Sequence, residues 1–288
     1  MAEAGFRFDG SDGSAEAYAP ELYSPAAEAT TLAHLDDVGP AELAFYEDHG
    51  WLLVRHVLEP GEIEEAVRGI DDLVAGRNRA FDGVYYENAA RGQVEAAPSQ
   101  RSTDHVRKLA WFVQHDARLN AIAEHPGILS VVSRLLKGVT PRLFQNMALL
   151  KPPSVGREKP WHQDHAYFNL PLATPVVGVW IALDEATVEN GCMQVLDGGH
   201  KLGPVPHWKR RDWQICDTEI LGRRSLACPL PAGGALFFDS LLPHGTPKNV
   251  SSARRRAVQF HYCPADAVKV GPEERLAVFG TEGKDVSC

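Results

Sequence analysis

The chain has 288 residues, 44% of them hydrophobic and 23% charged, a balance that predicts a globular protein of one large or two small domains. Its net charge of -9 argues against a nucleic-acid binder and against electrostatic attachment to an anionic membrane. The five cysteines are scattered and form no CxxC pair, no apolar run approaches a membrane span, and the first residues carry acids where a signal peptide needs positive charge. Together these features predict a soluble, cytoplasmic protein.

In chain order, residues 1–38 are rich in Ala, Gly, Ser and acids, which predicts a flexible N-terminal arm. Residues 39–50 carry a proline at position 40, near the start, and end on a glycine, the frame of a helix. Residues 59–76 place Ile63, Val67, Ile70 and Val74 on one helical stripe. Residues 77–103 are polar and without period. Residues 125–138 form a third amphipathic helix, with Ile128, Val131, Val132, Leu135 and Leu136 inward and Gly138 as its stop.

The pattern changes after Gly138. "PRLFQNMALLKPP", "PVVGVWIALDEA", "GCMQVL", "GGALFFDSLLPHG" and "RAVQFHYCP" are short apolar, β-branched or aromatic runs bounded by turn residues. Few helical patterns separate them, so parallel βαβ units are not expected, and several antiparallel strands point to a sandwich or jelly roll with the helices packed outside. The expected organisation is one domain over 39–288, with a helical lead-in at 39–138 and a strand core at about 140–264.

"WHQDHAYF" (161–168) places two histidines and an aspartate within four positions. If the segment is extended, His162 and Asp164 share a face and Gln163 points away. "LLPHGTPKN" adds His244. Two histidines and one carboxylate form the facial triad of non-haem Fe(II) oxygenases, which leaves three positions for a chelating 2-oxo acid and O2. The second carboxylate of such an acid calls for an arginine, and "SARRRAVQF" supplies three, with Arg255 on one strand face and Arg254 and Arg256 on the other. A structural ion pair would also explain His162 and Asp164 alone, but not the ordered series with His244 and an arginine about ten residues on. His165 has the wrong parity for a ligand and is assigned a supporting or surface role. His200 reads as a turn residue. His261 shares the parity of Arg255 and reads as cavity lining or a core histidine. Arg254 and Arg256 read as a solvated strand face.

With "GVWIALDEATVENGCMQVLDGGHK" and "PHGTPKNVSSARRRAVQFHY", these residues make the chain resemble the phytanoyl-CoA dioxygenase family of Fe(II)/2-oxoglutarate oxygenases over roughly 140–264. The resemblance implies a mainly β fold with flanking helices, a double-stranded β-helix (jelly-roll, cupin-like barrel). It implies iron on His162, Asp164 and His244, and the 2-oxoglutarate carboxylate on Arg255. It suggests further co-substrate contacts at Lys108, Met147, Trp180 and Thr246. From sequence alone, Trp180 also reads as plain core and Lys108 as a surface lysine on a helix. "DGGHK" departs from the family's Pro-Gly-Ser-His, because Gly199 lacks the serine hydroxyl. Asp164 disfavours halogenation, which needs a small residue there.

The implied activity is hydroxylation of an unactivated C–H bond of a small molecule, with Fe(II), 2-oxoglutarate and O2 consumed to give succinate and CO2, in a monomer. Desaturation, epimerisation and ring formation use the same iron site. Two alternatives stand beside it: a cupin-type metalloenzyme that does not use 2-oxoglutarate, and a non-catalytic 2-oxoglutarate or metal sensor. Residues 77–103 and 201–225 are expected to be lid or substrate loops. The second carries Arg210, Arg211, Arg223 and Arg224, which suits an anionic substrate such as a carboxylate or CoA thioester, and equally a solvated surface loop.

Overall fold

Period-two alternation sorts the strand side chains into two layers. A computed structural model describes residues 6–8 and 17–286. Its largest element is a nine-stranded sheet in the spatial order Arg7–Phe8, Val84–Tyr86, Val106–Ala110, Pro141–Lys151, Arg255–Pro264, Val177–Ala182, Ala235–Asp239, Trp51–His56 and Leu32–His34. A five-stranded sheet runs Ala27–Glu28, Ser225–Cys228, Met193–Leu196, His244–Thr246 and Lys159–His162. A separate hairpin pairs His207–Lys209 with Trp213–Ile215.

Alternate residues of the central strands serve the two faces of the large sheet. Val179, Ile181, Phe237, Val258 and Phe260 pack outward, in one cluster with Ile70 and Leu73 of the helix Pro60–Val74 and Ile128 and Val131 of the helix Pro126–Leu135. Trp180, Ala182, Leu236, Phe238 and Ala257 pack inward, against Met193, Val195, Leu226 and Cys228 of the small sheet. With both faces covered, these strands read as nearly continuous apolar runs. This is the double-stranded, helix-flanked jelly roll expected above.

The three expected helices form as Pro40–His49, Pro60–Val74 and Pro126–Leu135, each with proline in the first turn, where its missing N–H costs nothing. Gly50 ends the first at φ 82°, and a Cβ there would lie 2.5 Å from His200 Nδ1, so both conformation and space demand glycine. Among the further helices, Ala117–Ala123 is capped by Asp116, whose carboxylate accepts from the amides of Arg118 and Leu119.

Three expectations are corrected. Of the expected arm, residues 1–5 and 9–16 lie outside the described residues, but 17–38 are built into the fold. Ala27–Glu28 pairs in parallel with Ser225–Cys228, and Leu22 and Tyr23 are buried. The Tyr23 hydroxyl donates to Glu158 Oε1 at 2.9 Å, and its ring stacks on Trp161. These partners are about 135 residues away, so local composition could not announce them. Second, Leu32–His34 and Trp51–His56 are parallel neighbours joined through the helix Pro40–His49, a small βαβ unit at the sheet edge where none was expected. Third, Lys108 lies on the strand Val106–Ala110, not on a helix, and Val84–Tyr86 within the supposed polar loop pairs with that strand. No described helix is long and apolar enough to cross a membrane.

Candidate functional site

The strand Lys159–His162 ends at His162, and Asp164 opens the 3-10 turn Asp164–Tyr167. The extended reading of 160–168 holds through Gln163, whose backbone is extended and keeps His162 and Asp164 on one side, but from Asp164 the chain departs into the 3-10 turn. Gln163 fixes that departure. Its amide N–H donates to His207 Nε2 at 3.0 Å, its side-chain NH2 donates to the carbonyls of Gly203 and Leu241, and its Oε1 accepts from the amide of Val205. His244 enters from the antiparallel neighbour, directly opposite His162.

His162, Asp164 and His244 are all buried, and one donor atom from each lies within 4.8 Å of the others. His162 Nδ1 donates to the Pro160 carbonyl at 2.8 Å, and His244 Nδ1 to the Leu242 carbonyl at 2.9 Å. A carbonyl only accepts, so each Nδ1 carries its proton there and Nε2 is the nitrogen that faces the centre. The two Nε2 atoms sit 3.3 and 3.6 Å from Asp164 Oδ1. Burial, reinforced by His162, pushes His244 down to about 3, which keeps it neutral at pH 7. Burial alone would raise Asp164, but His244, His261 and His162 outweigh it and hold the carboxylate well below its usual range. The two Nε2 atoms and Asp164 Oδ1 thus converge on one point, and two imidazoles with one carboxylate fit a divalent first-row metal.

Arg255, Thr246, Trp180, Met147 and Lys108, the five expected co-substrate residues, all line one cavity of about 640 Å³ with the three ligand residues. Arg255 is 2% exposed and makes no ion pair among the described residues. Its Nη1 donates to the Leu149 carbonyl, its Nε has no partner, and its guanidinium lies 5.4 Å from the Trp180 ring centre. Burial pushes it down to about 10, so it stays charged at pH 7. A buried cation with donor capacity to spare fits an anionic ligand. Arg254 and Arg256 turn away to Asp104 and Asp184, so the expected solvated face is in fact a paired one.

Several residues escaped the sequence reading. Lys151 is buried against the cavity and donates to the carbonyls of Arg157, Thr246 and Pro247, so it braces the strand end that carries Thr246. Gln259 and His261 reach Asp164 Oδ2 at 3.1 and 2.7 Å. His261 was expected on the Arg255 face and lies there; Gln259, which the sequence reading missed, shares that face, since 255, 257, 259 and 261 alternate together. His165 is buried rather than at the surface, with Nδ1 3.0 Å from Ser240 Oγ. His200 lies in the turn Gly199–Leu202, as expected. At Gly199 a Cβ would come 2.8 Å from Pro243, which accounts for the lost serine. No residue of 77–103 is among those that line the cavity. From the other candidate loop, Lys209, Arg210, Asp212 and Trp213 do line it. The C-terminal helix Glu273–Phe279 adds buried Arg275, which donates to Asn169 and to the Ala166 and Gly283 carbonyls, and so ties the tail to the turn that carries Asp164.

Comparison with known proteins bears on this site. The family profile for phytanoyl-CoA dioxygenase (PhyH) matches residues 46–257. The human peroxisomal phytanoyl-CoA dioxygenase is 26% identical over 233 residues, covering 77% of this chain and 67% of that protein. The zebrafish (Danio rerio) phytanoyl-CoA dioxygenase domain-containing protein 1 is 23% identical over 278 residues, covering 84% of this chain and 96% of its own. Among solved structures, EvdO2 from Micromonospora carbonacea var. aurantiaca complexed with 2-oxoglutarate matches with TM-score 0.62 and 26% identity, over 84% of this chain and 97% of that one. The epimerase SnoN in complex with Fe3+, alpha ketoglutarate and nogalamycin RO shares the fold at TM-score 0.64 and 23% identity, over 81% and 88%.

Proposed function

The chain belongs to the phytanoyl-CoA dioxygenase family of 2-oxoglutarate-dependent non-haem iron oxygenases, and we propose that it hydroxylates an unactivated C–H bond of a small molecule, with release of succinate and CO2. The observation that carries the reading is the convergence of His162 Nε2, His244 Nε2 and Asp164 Oδ1 on one point, in a cavity shared with a buried arginine that has no acidic partner among the described residues. The solved relatives that hold Fe3+ or 2-oxoglutarate support the choice of cofactors.

In this reading His162, Asp164 and His244 hold Fe(II). Iron and 2-oxoglutarate, once bound, supply the oxidising power drawn from O2. The protein supplies geometry and exclusion of water. The carbonyls of Pro160 and Leu242 fix both imidazoles in the tautomer that offers Nε2 as a ligand. Arg255 and Thr246 hold the distal carboxylate of 2-oxoglutarate, with Trp180, Met147 and Lys108 as further lining of the cavity. Beyond them, Tyr167, Phe168 and Trp213 give an apolar surface, and Lys209 and Arg210 give positive charge. That lining suits a substrate with an apolar body and an anionic group.

The test is anaerobic addition of Fe(II) and then 2-oxoglutarate to metal-free protein, followed in the visible spectrum. The expected result is a weak charge-transfer band that needs both. Iron binding without the band would move the reading to a cupin-type chemistry, and failure to bind iron would sink it. Candidate substrates are then screened by stimulated succinate release.

A further inference from the structure

Asp164 has two oxygens, and the fold treats them differently. Oδ1 faces the Nε2 atoms of His162 and His244. Oδ2 faces the other way, 2.7 Å from His261 Nε2 and 3.1 Å from Gln259 Nε2. His261 is completely buried, and its Nδ1 has no hydrogen-bond partner. Its Nε2 also lies 3.3 Å from Gln259 Nε2, but its short polar contact is the 2.7 Å one to the carboxylate, which as an anion only accepts. The proton must sit on Nε2, and Gln259 adds an amide N–H to the same oxygen. Phe168 and Phe238 flank the His261 ring edge to face, at 4.9 and 6.1 Å, so the donor cannot swing away.

We propose that His261 and Gln259 form a clamp that occupies Asp164 Oδ2 and restricts this carboxylate to one-oxygen coordination of the metal. The proposal rests on the iron reading above and deepens it. A carboxylate free to turn would chelate through both oxygens and take a coordination position. The chelating co-substrate needs two positions and O2 needs a third, so losing one obstructs the cycle. Both clamp residues belong to the strand Arg255–Pro264, on the face that also presents Arg255. One strand thereby sets the orientation of the iron carboxylate and the seat of the co-substrate. His261 and Gln259 act through Asp164 and are positioning residues.

The experiment compares wild type with His261→Leu, Gln259→Leu and His261→Gln, each checked for native circular dichroism. Fe(II) affinity is titrated anaerobically, and the 2-oxoglutarate charge-transfer band is then recorded at saturating iron. Either leucine variant is expected to weaken Fe(II) binding roughly 10- to 100-fold, the usual effect of losing a partner of a metal ligand. Its 2-oxoglutarate band is expected to weaken or shift even when iron is saturating, which loss of packing alone would not produce. His261→Gln restores an N–H donor and is expected to recover most of the affinity. If His261→Leu does not fold, Gln259→Leu carries the test by itself. A folded leucine variant with wild-type iron affinity and an unchanged band would overturn the clamp while leaving the iron reading intact. Wild-type protein that shows no band removes both.

Discussion

The strand Arg255–Pro264 has two faces that do different work. Val258, Phe260 and Tyr262 point to the helices and are wholly apolar apart from a hydroxyl that donates to the Ala123 carbonyl. Arg255, Gln259 and His261 point to the cavity, where each polar group addresses the candidate metal or co-substrate position. The pleat separates stability from chemistry by a single residue step. Substitutions on the outer face should therefore change how well the protein folds. Substitutions on the inner face should change what it binds.

The largest effect is expected at the ligands. Asp164→Ala or His162→Ala should abolish both Fe(II) retention and succinate production in folded protein, and iron content after anaerobic reconstitution checks it. A variant that kept iron would collapse the distinction between the faces.

On the outer face, Phe260→Ala removes a fully buried ring packed edge to face on Phe112, and should cost about 3–5 kcal/mol. Urea unfolding measures the loss. The same variant, held below its transition, should give the wild-type 2-oxoglutarate band.

Arg255→Ala reverses that pattern. Loss of a charge-assisted pair worth about 1.5–3 kcal/mol should weaken 2-oxoglutarate roughly 10- to 100-fold while Fe(II) affinity holds. Unchanged co-substrate dependence would mean that the inner face is not the binding face.

A smaller effect concerns His207, which joins the 207–215 hairpin to the backbone between the two ligands of the HxD motif. Burial pushes it from an ordinary 6.5 down to about 3. The folded state thus binds fewer protons than the unfolded chain between those values. The stability it contributes is complete above about 6.5 and is lost as pH falls towards 3. Metal-free protein should lose melting temperature between pH 7.5 and 5, and His207→Gln should lose less. Equal slopes would refute the assignment. The smallest effect is expected at Arg254, whose partner Asp104 is exposed: Arg254→Ala should change stability by less than about 0.5 kcal/mol.

Much of this site was legible in the chain. The HxD spacing, the later His244 and the arginine beyond it are local features, and the helix frames at 40, 60 and 126 follow from proline, periodicity and terminal glycine. Other features were not legible because their partners are remote. Tyr23 is ordered by Glu158 and Trp161, and Ala27–Glu28 by a strand near residue 227. The 77–103 segment read as lacking regular structure because its strand is short and its sheet partner lies about twenty residues on.

Sequence by itself determined which residue types could meet a metal and which side chains share a strand face, because the two-residue period is built into the backbone. It also placed the chain's resemblance to an oxygenase family. Tertiary structure decided which face of the arginine strand looks inward, how Asp164 reaches the centre after its strand has ended, and which oxygen of that carboxylate is held by His261. These outcomes depend on register between strands far apart in sequence, and register is fixed only when the two sheets close on a common core.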